Sequence, residues 1–310
     1  MVIVNRLEPI AFVQESLKYL QPAVVAQLAN MELRARLVVE GFITGLHKSP
    51  YHGFSVEFTE HRQYMPGDEI KHIDWKAYGK TDRFYIKQFE EETNLKSYLI
   101  VDASRSMDYA SKGNIKKFEY ASYIAAALSY LMIEQRDAVG LTLFDEVVRV
   151  SLPPRATRSY LKELLKELES ARPANKTGTA AALHLIAEQM KRRGLVIVVS
   201  DCFDKPESVM TALKHFRHKG NEVVLMQVLD PLERSFAFGG DAIFKDLETQ
   251  EELMTQPWHI QKAYQQSMHE FLDFYKRQCR DNNIDYVLLD TNTPFDKALF
   301  EYLNKRKRMN

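Results

Sequence analysis

The sequence predicts an α/β fold, a doubly wound and mostly parallel sheet, preceded by a smaller N-terminal region of helix and short strands. Three observations point there. From residue 97 onward strand-like and helix-like patterns alternate, the mark of βαβ units around a parallel sheet. The strand segments are near-continuous runs of Val, Ile and Leu, as strands covered on both faces require. Four of them end in Asp, at Asp102, Asp201, Asp230 and Asp290. Open α/β sheets bind ligands outside the carboxyl ends of their strands, so the fold itself carries these carboxylates to the rim where chemistry occurs.

The elements follow in order. Pro22 suits a first helical turn, and Val24, Val25, Leu28, Leu33 and Leu37 recur at helical spacing until Gly41 and Gly45 end the pattern. Short strands are expected around Val56 and Phe58 and around Phe84 and Ile86. Between them Met65-Pro66-Gly67-Asp68 reads as a type II turn, with Gly supplying the positive φ. A strand over 97–102 leads to a helix over 118–135, a strand over 138–144 and a hairpin partner from Val147 to Leu152. Helices over 157–170 and 179–194 come next, the second with Thr179 as N-cap and Gly194 as stop. Then come a strand over 195–201, a helix over 207–220 and a strand over 221–230. An irregular insertion with some β content is expected over 231–256, before a helix over 258–282, a strand over 286–290 and a last helix over 294–306. This divides the chain into an N-terminal region, 1–96, and an α/β domain, 97–310.

Composition narrows the function. The 42 Lys and Arg balance 42 Asp and Glu, so no global basic field for nucleic acid exists and a charged partner must be met by a local patch. Two cysteines, Cys202 and Cys279, are too few for a disulfide scaffold or a structural zinc site. No apolar run approaches the roughly 20 residues needed to span a bilayer. The start, MVIVNRLEPI, lacks the pattern of a secretory leader, so a cytoplasmic protein is expected.

The sharpest local signal is Asp102-Ala103-Ser104-Arg105-Ser106, directly after an apolar strand. One carboxylate and two alternating hydroxyls on a loop offer three hard oxygen donors to one point, the chemistry Mg²⁺ selects when it assembles about six oxygens. Thr179, after Gly178 at a helix start, can deliver a further hydroxyl, and Asp201 ends a later strand. Asp-x-Ser-x-Ser alone is weak, since Ser and Asp are common in turns; the added Thr179 and Asp201 strengthen it. In order and context Asp102, Ser104, Ser106, Thr179 and Asp201 resemble the metal-ion-dependent adhesion site of von Willebrand factor A domains. The resemblance implies bound Mg²⁺, with Mn²⁺ or Ca²⁺ compatible, and a coordination position open to a carboxylate from a protein partner. Asp230 and Asp290 lack such company and read as strand-end residues capping the next helix.

A second block is specific in another way. Arg62, Tyr64, Pro66, Gly67, Asp68, Ile73, Asp74, Trp75 and the run Glu90 to Glu92 resemble the hallmark of the bacterial family called domain of unknown function fifty-eight. Gly41, Gly45, Ser49, Gly53, Glu57 and Phe58 fit as well, while Tyr78-Gly79-Lys80 departs from the Ala-Arg pair common after the Trp. The resemblance implies this block joined to a von Willebrand A-like domain, and an AAA+ ATPase of the MoxR type as partner in chaperone-like remodelling. Read from its residues alone, Arg62 with Asp68 or Asp74 makes a buried ion pair fixing the turn, and Trp75 packs in a core.

Other chemistries find little support. No phosphate loop of the Gly-x-x-x-x-Gly-Lys-Ser/Thr type and no Gly-x-Ser-x-Gly elbow occurs. His47, His52, His61 and His72 lack the spacing of a zinc helix, and Lys305 to Arg308 read as a solvated helix end. The expected function is a Mg²⁺-dependent interaction module rather than an enzyme. A metal-dependent hydrolase or phosphotransferase using Asp102 and Asp201 is the alternative, with Asp108 the nearest candidate base. A metal-free structural fold is the third.

Overall fold

The computed structural model describes residues 22–25, 30–47, 62–63, 78–79, 84–86, 96–238, 242–245, 252–296 and 299–300. The opening helical stretch is two pieces, α1 (Pro22–Val25) and α2 (Met31–His47). Asn30 caps the second, its Oδ1 accepting from the Leu33 amide at 2.8 Å. α2 runs through Gly41 and Gly45, which were expected to end it. A glycine costs a helix only about 1 kcal/mol, and that cost is met elsewhere. Met31, Ala35, Val38 and Val39 supply the compensation, lying on one face and buried in the main core. Strands β1 (Arg62–Gln63) and β2 (Tyr85–Ile86) pair antiparallel, so the segment expected around Phe84 and Ile86 is a strand. The expected strand at Val56 and Phe58, the Met65–Asp68 turn and the Tyr64 to Trp75 block lie outside the described residues.

The doubly wound sheet is present. Its strands are β3 (Lys96–Asp102), β4 (Ala138–Phe144), β5 (Val148–Arg155), β6 (Leu195–Ser200), β7 (Glu222–Leu229) and β10 (Asp285–Asp290), in the spatial order β10-β7-β6-β3-β4-β5. All neighbours are parallel except the β4–β5 hairpin. Numbered by succession within this sheet, the order is 3-2-1-4-5-6, the doubly wound arrangement whose switch point falls between the first and fourth strands. Here those are β3 and β6, paired from Ser97 with Leu195 to Val101 with Val199. This register puts the end of β3, Asp102, beside Ser200 and Asp201. The hairpin partner runs past Leu152 to Arg155, and its Pro153-Pro154 is tolerated because β5 is an edge strand.

Period-two alternation divides the strands between two layers. Leu99, Val101, Leu141, Leu143, Ile197 and Val199 face α2, α3 (Lys117–Glu134) and α4 (Arg158–Ser170). Ile100, Phe144, Val196, Val198, Val223 and Leu225 face α5 (Thr179–Gln189), α6 (Pro206–His218) and the long helix after the insertion. The insertion opens with α7 (Pro231–Ser235) and holds an antiparallel pair, β8 (Ala242–Lys245) and β9 (Glu252–Thr255), before α8 (Pro257–Asp281). Residues 295–296 and 299–300 are helical, one residue after the expected start at 294, and Phe295 and Leu299 enter the core; residues 297–298 and 301–306 of the expected helix lie outside the described residues.

Two details correct the sequence reading. Thr179 is the first helical residue of α5 and not its cap; the Asp204 carboxylate serves the helix N-terminus, accepting from the Ala180 amide at 3.1 Å. α5 also stops at Gln189, five residues before Gly194. Gly194 is needed for another reason: a Cβ there would stand 2.1 Å from the Lys96 carbonyl oxygen. Among the described residues no helix is long and apolar enough to cross a membrane.

Candidate functional site

The switch point holds a buried polar cluster. Asp102 ends β3 with its side chain fully buried. Its Oδ1 accepts from the Ser104 amide at 2.9 Å, a local turn that folds the loop back over the carboxylate. A single 3₁₀ turn, Arg105–Asp108, follows. Ser104 Oγ and Ser106 Oγ lie 3.1 Å apart, and Thr177 Oγ1 stands 3.4 Å from Ser106 Oγ. Thr179 Oγ1, on the first turn of α5, donates toward Asp102 Oδ2 at 3.4 Å. Asp102, Ser104, Ser106 and Thr179 thus form one connected group. Asp102, Ser104 and Thr179 are fully buried, and Ser106 and Thr177 are half-buried.

The loops are held from outside. The Arg105 amide donates to Asn175 O at 3.1 Å, and the Ala174 amide to Ala103 O at 3.1 Å, tying the loop before α5 to the loop after β3. Asn175 Nδ2 donates to the buried Asp145 at 2.8 Å, and Arg149 pairs with the same carboxylate. Gly178 permits the close approach that brings Thr179 in, since a Cβ there would lie 2.8 Å from Glu146 Cα. Asn175 (φ 57°) and Cys202 (φ 60°) take left-handed backbone on the loops flanking the cluster. Such strain collects at sites that the surrounding structure over-determines.

Asp201 is adjacent, and its bonds differ from those of the other four. Its Oδ1 accepts from the Phe203 amide at 3.1 Å, and its Oδ2 accepts from Lys117 Nζ at 2.8 Å. Lys117, the first residue of α3, is fully buried and also reaches Glu233 Oε1 at 2.7 Å. Its ammonium stands 4.7 Å over the Phe203 ring. Burial alone would lower the Lys117 pKa; Asp201 and Glu233 outweigh it and hold the ammonium above its ordinary value. Glu233 closes a capping box with Asp230 at the start of α7, so this lysine joins the switch point to the base of the insertion. Asp230 therefore caps, as its strand-end position suggests. Asp108 is ion-paired with Lys116 at 2.7 Å.

Sequence reasoning missed three participants. Ser200 donates to Asp102 Oδ2 at 2.6 Å from the last position of β6. Lys117 and Glu233 are invisible in a linear motif because they sit on elements far apart in the chain. A lysine opening an otherwise apolar helix was the only available signal for Lys117.

Electrostatics define what the cluster can hold. Burial, and then the neighbouring Asp201 charge, push the Asp102 carboxyl up to about 6. The Lys117 ammonium is shared by Asp201 and Glu233, and among the described residues no cation pairs with Asp102. The donors around Asp102 are all oxygen. Among the described residues no group of three or more His, Cys, Asp or Glu gathers as a metal site, so any ion here is met by hydroxyls as much as by carboxylate. An all-oxygen, anion-rich, loop-built set fits a small hard divalent cation.

Comparison with known proteins gives the following. The family model described as "Protein of unknown function DUF58" matches residues 60–271. The uncharacterized proteins Rv1480 of Mycobacterium tuberculosis and Mb1516 of Mycobacterium bovis are each 27% identical over 231 residues, covering 74% of this chain and 72% of theirs. Among solved structures, the conserved hypothetical protein BatB from Bacteroides thetaiotaomicron aligns over 69% of this chain and 99% of its own, at 18% identity and a TM-score of 0.45. The VWA domain of SpRpn10 aligns over 66% of this chain and 93% of its own, at 8% identity and a TM-score of 0.40.

Proposed function

This chain belongs to the DUF58 family, and from that footing we propose that it is a Mg²⁺-dependent protein-interaction module whose partner presents a carboxylate. The observation that carries the reading is the buried oxygen cluster at the switch point, with more carboxylate charge than Lys117 neutralises. Asp102, Ser104, Ser106 and Thr179 would hold the ion. Asp201, engaged by Lys117 and the Phe203 amide, stands behind them as a second charge. When bound, the ion supplies a point of positive charge that an incoming carboxylate can ligate. Three exposed cations on the same loops, Arg105, Lys176 and Lys205, favour an acidic partner surface. The partner class implied by the family resemblance is an AAA+ ATPase of the MoxR type, with the chain as its adaptor in chaperone-like remodelling. Buried free thiols at Cys202 and Cys279 suit a reducing, cytoplasmic setting.

The chain's own residues do the positioning. Ser200 and the Ser104 amide orient the Asp102 carboxylate, and Asp145 with Asn175 fixes the loop that delivers Thr177 and Thr179. For the test, the chain is immobilised and offered a MoxR-type ATPase in magnesium and then in EDTA. Capture by the native chain is expected to fall at least tenfold in EDTA, and an Asp102→Ala variant of native circular dichroism is expected to capture no more than background. Equal capture by the variant, or capture unmoved by EDTA, contradicts the reading.

A further inference from the structure

The helical layer carries a second constellation that no part of the proposed function uses. His184 on α5 and His215 on α6 face each other Nδ1 to Nδ1 at 3.4 Å, with ring centroids 5.6 Å apart. Both side chains are half-buried, so the rings are fixed by the packing of α5 on α6 yet open to solution. His184 lies five residues beyond Thr179, about 7.5 Å down the helix axis, on a separate surface from the oxygen cluster.

The geometry is informative. Two neutral imidazoles meeting through the same ring nitrogen can share only one hydrogen, and 3.4 Å is long for an N–H···N bond, which prefers about 2.7–3.2 Å. A tetrahedral ion with bonds of about 2.0–2.1 Å to imidazole nitrogen separates two such ligands by about 3.3–3.4 Å, whereas neighbouring ligands of a square-planar ion stand only about 2.8–2.9 Å apart. The observed 3.4 Å equals the tetrahedral spread; the rings, with centroids 5.6 Å apart, stand nearly head-on, so a turn of each ring by roughly 15–20° would aim both Nδ1 atoms at one ion.

We propose that His184 and His215 form a two-histidine site for a tetrahedral divalent transition metal, zinc above all, on the α5–α6 face. Among the described residues no third His, Cys, Asp or Glu joins them, so water or a donor from a bound partner completes the tetrahedron. His215 lies in the last turn of α6, where the helix dipole favours a cation. The nearby Lys219 ammonium is committed elsewhere, to the Ala187 and Glu188 carbonyl oxygens at 2.6 and 2.9 Å.

Zinc chloride titrated calorimetrically into the full chain, with magnesium in large excess to saturate any oxygen site, tests the proposal. One zinc per chain is expected. His184→Gln and His215→Gln, which keep a polar side chain at the helix surface, are each expected to weaken it roughly tenfold or more, because two nitrogen donors become one. Asp102→Ala is expected to leave the zinc isotherm unchanged, which separates this site from the oxygen cluster. Cobalt in place of zinc should give the intense visible bands of a tetrahedral ion in the native chain and in Asp102→Ala, and not in the double histidine variant. A native chain that binds no zinc, or a His184→Gln/His215→Gln double variant with the native isotherm, overturns the proposal.

Discussion

Lys117→Met is expected to destabilise the full chain by about 3–5 kcal/mol, the cost of breaking a buried ion pair by removing one partner. The lysine is fully buried and, among the described residues, is the only cation placed between Asp201 and Glu233 at hydrogen-bond distance. Methionine fills much the same volume, so little of the loss comes from packing. What remains is two carboxylates, one fully buried and one nearly so, each stripped of a charged hydrogen bond. Denaturant titration of native and variant chains, followed by circular dichroism, gives the difference. A loss under about 1 kcal/mol would mean that water replaces the ammonium, and that the link between the switch point and the α7 cap is not structural.

Gly194→Ala is the second large effect, expected at about 3 kcal/mol, the upper range for forcing an added carbon into packed structure. The added Cβ would lie 2.1 Å from the Lys96 carbonyl oxygen, a backbone atom that cannot swing aside as a side chain can. Relief requires β6 to shift away from β3 at the start of both strands. The consequence is local as well as global, because the β3–β6 register sets Ser200 beside Asp102. A thermal scan of the variant is expected to show a large drop in Tm, and a native-like Tm would mean the strand starts are looser than the packing indicates.

The fold was legible because its signals are local and repeated. Runs such as LVIVVS, alternating with helical segments, suit strands covered on both faces of a parallel sheet, and the strand over 138–144 is found with the predicted bounds. Failures came where tertiary contact overrules a residue's usual meaning. Gly41 and Gly45 signal a helix end, but the packing of Met31, Ala35, Val38 and Val39 carries α2 through them. Gly194 looks like a helix stop, yet its role is to let a neighbouring carbonyl approach. At the site, Asp102, Ser104 and Ser106 were readable because one loop carries all three, and Thr179 because a helix start delivers it. The cluster's charge balance was not readable. Lys117 and Glu233 are 116 positions apart, and only the packing of α3 under the α7 cap brings them to Asp201. The facing imidazoles of His184 and His215 were hidden in the same way, by the contact between two helices.

The central claim is that a hard divalent ion binds the oxygen cluster around Asp102. Magnesium titrated calorimetrically into the purified chain, beside Asp102→Ala and Thr179→Val variants of native fold, addresses it most directly. The account predicts one saturable magnesium per native chain, no resolvable binding by Asp102→Ala, and binding weakened roughly tenfold or more by Thr179→Val, which removes a neutral oxygen donor but no charge. Identical heats from the native chain and Asp102→Ala would contradict it.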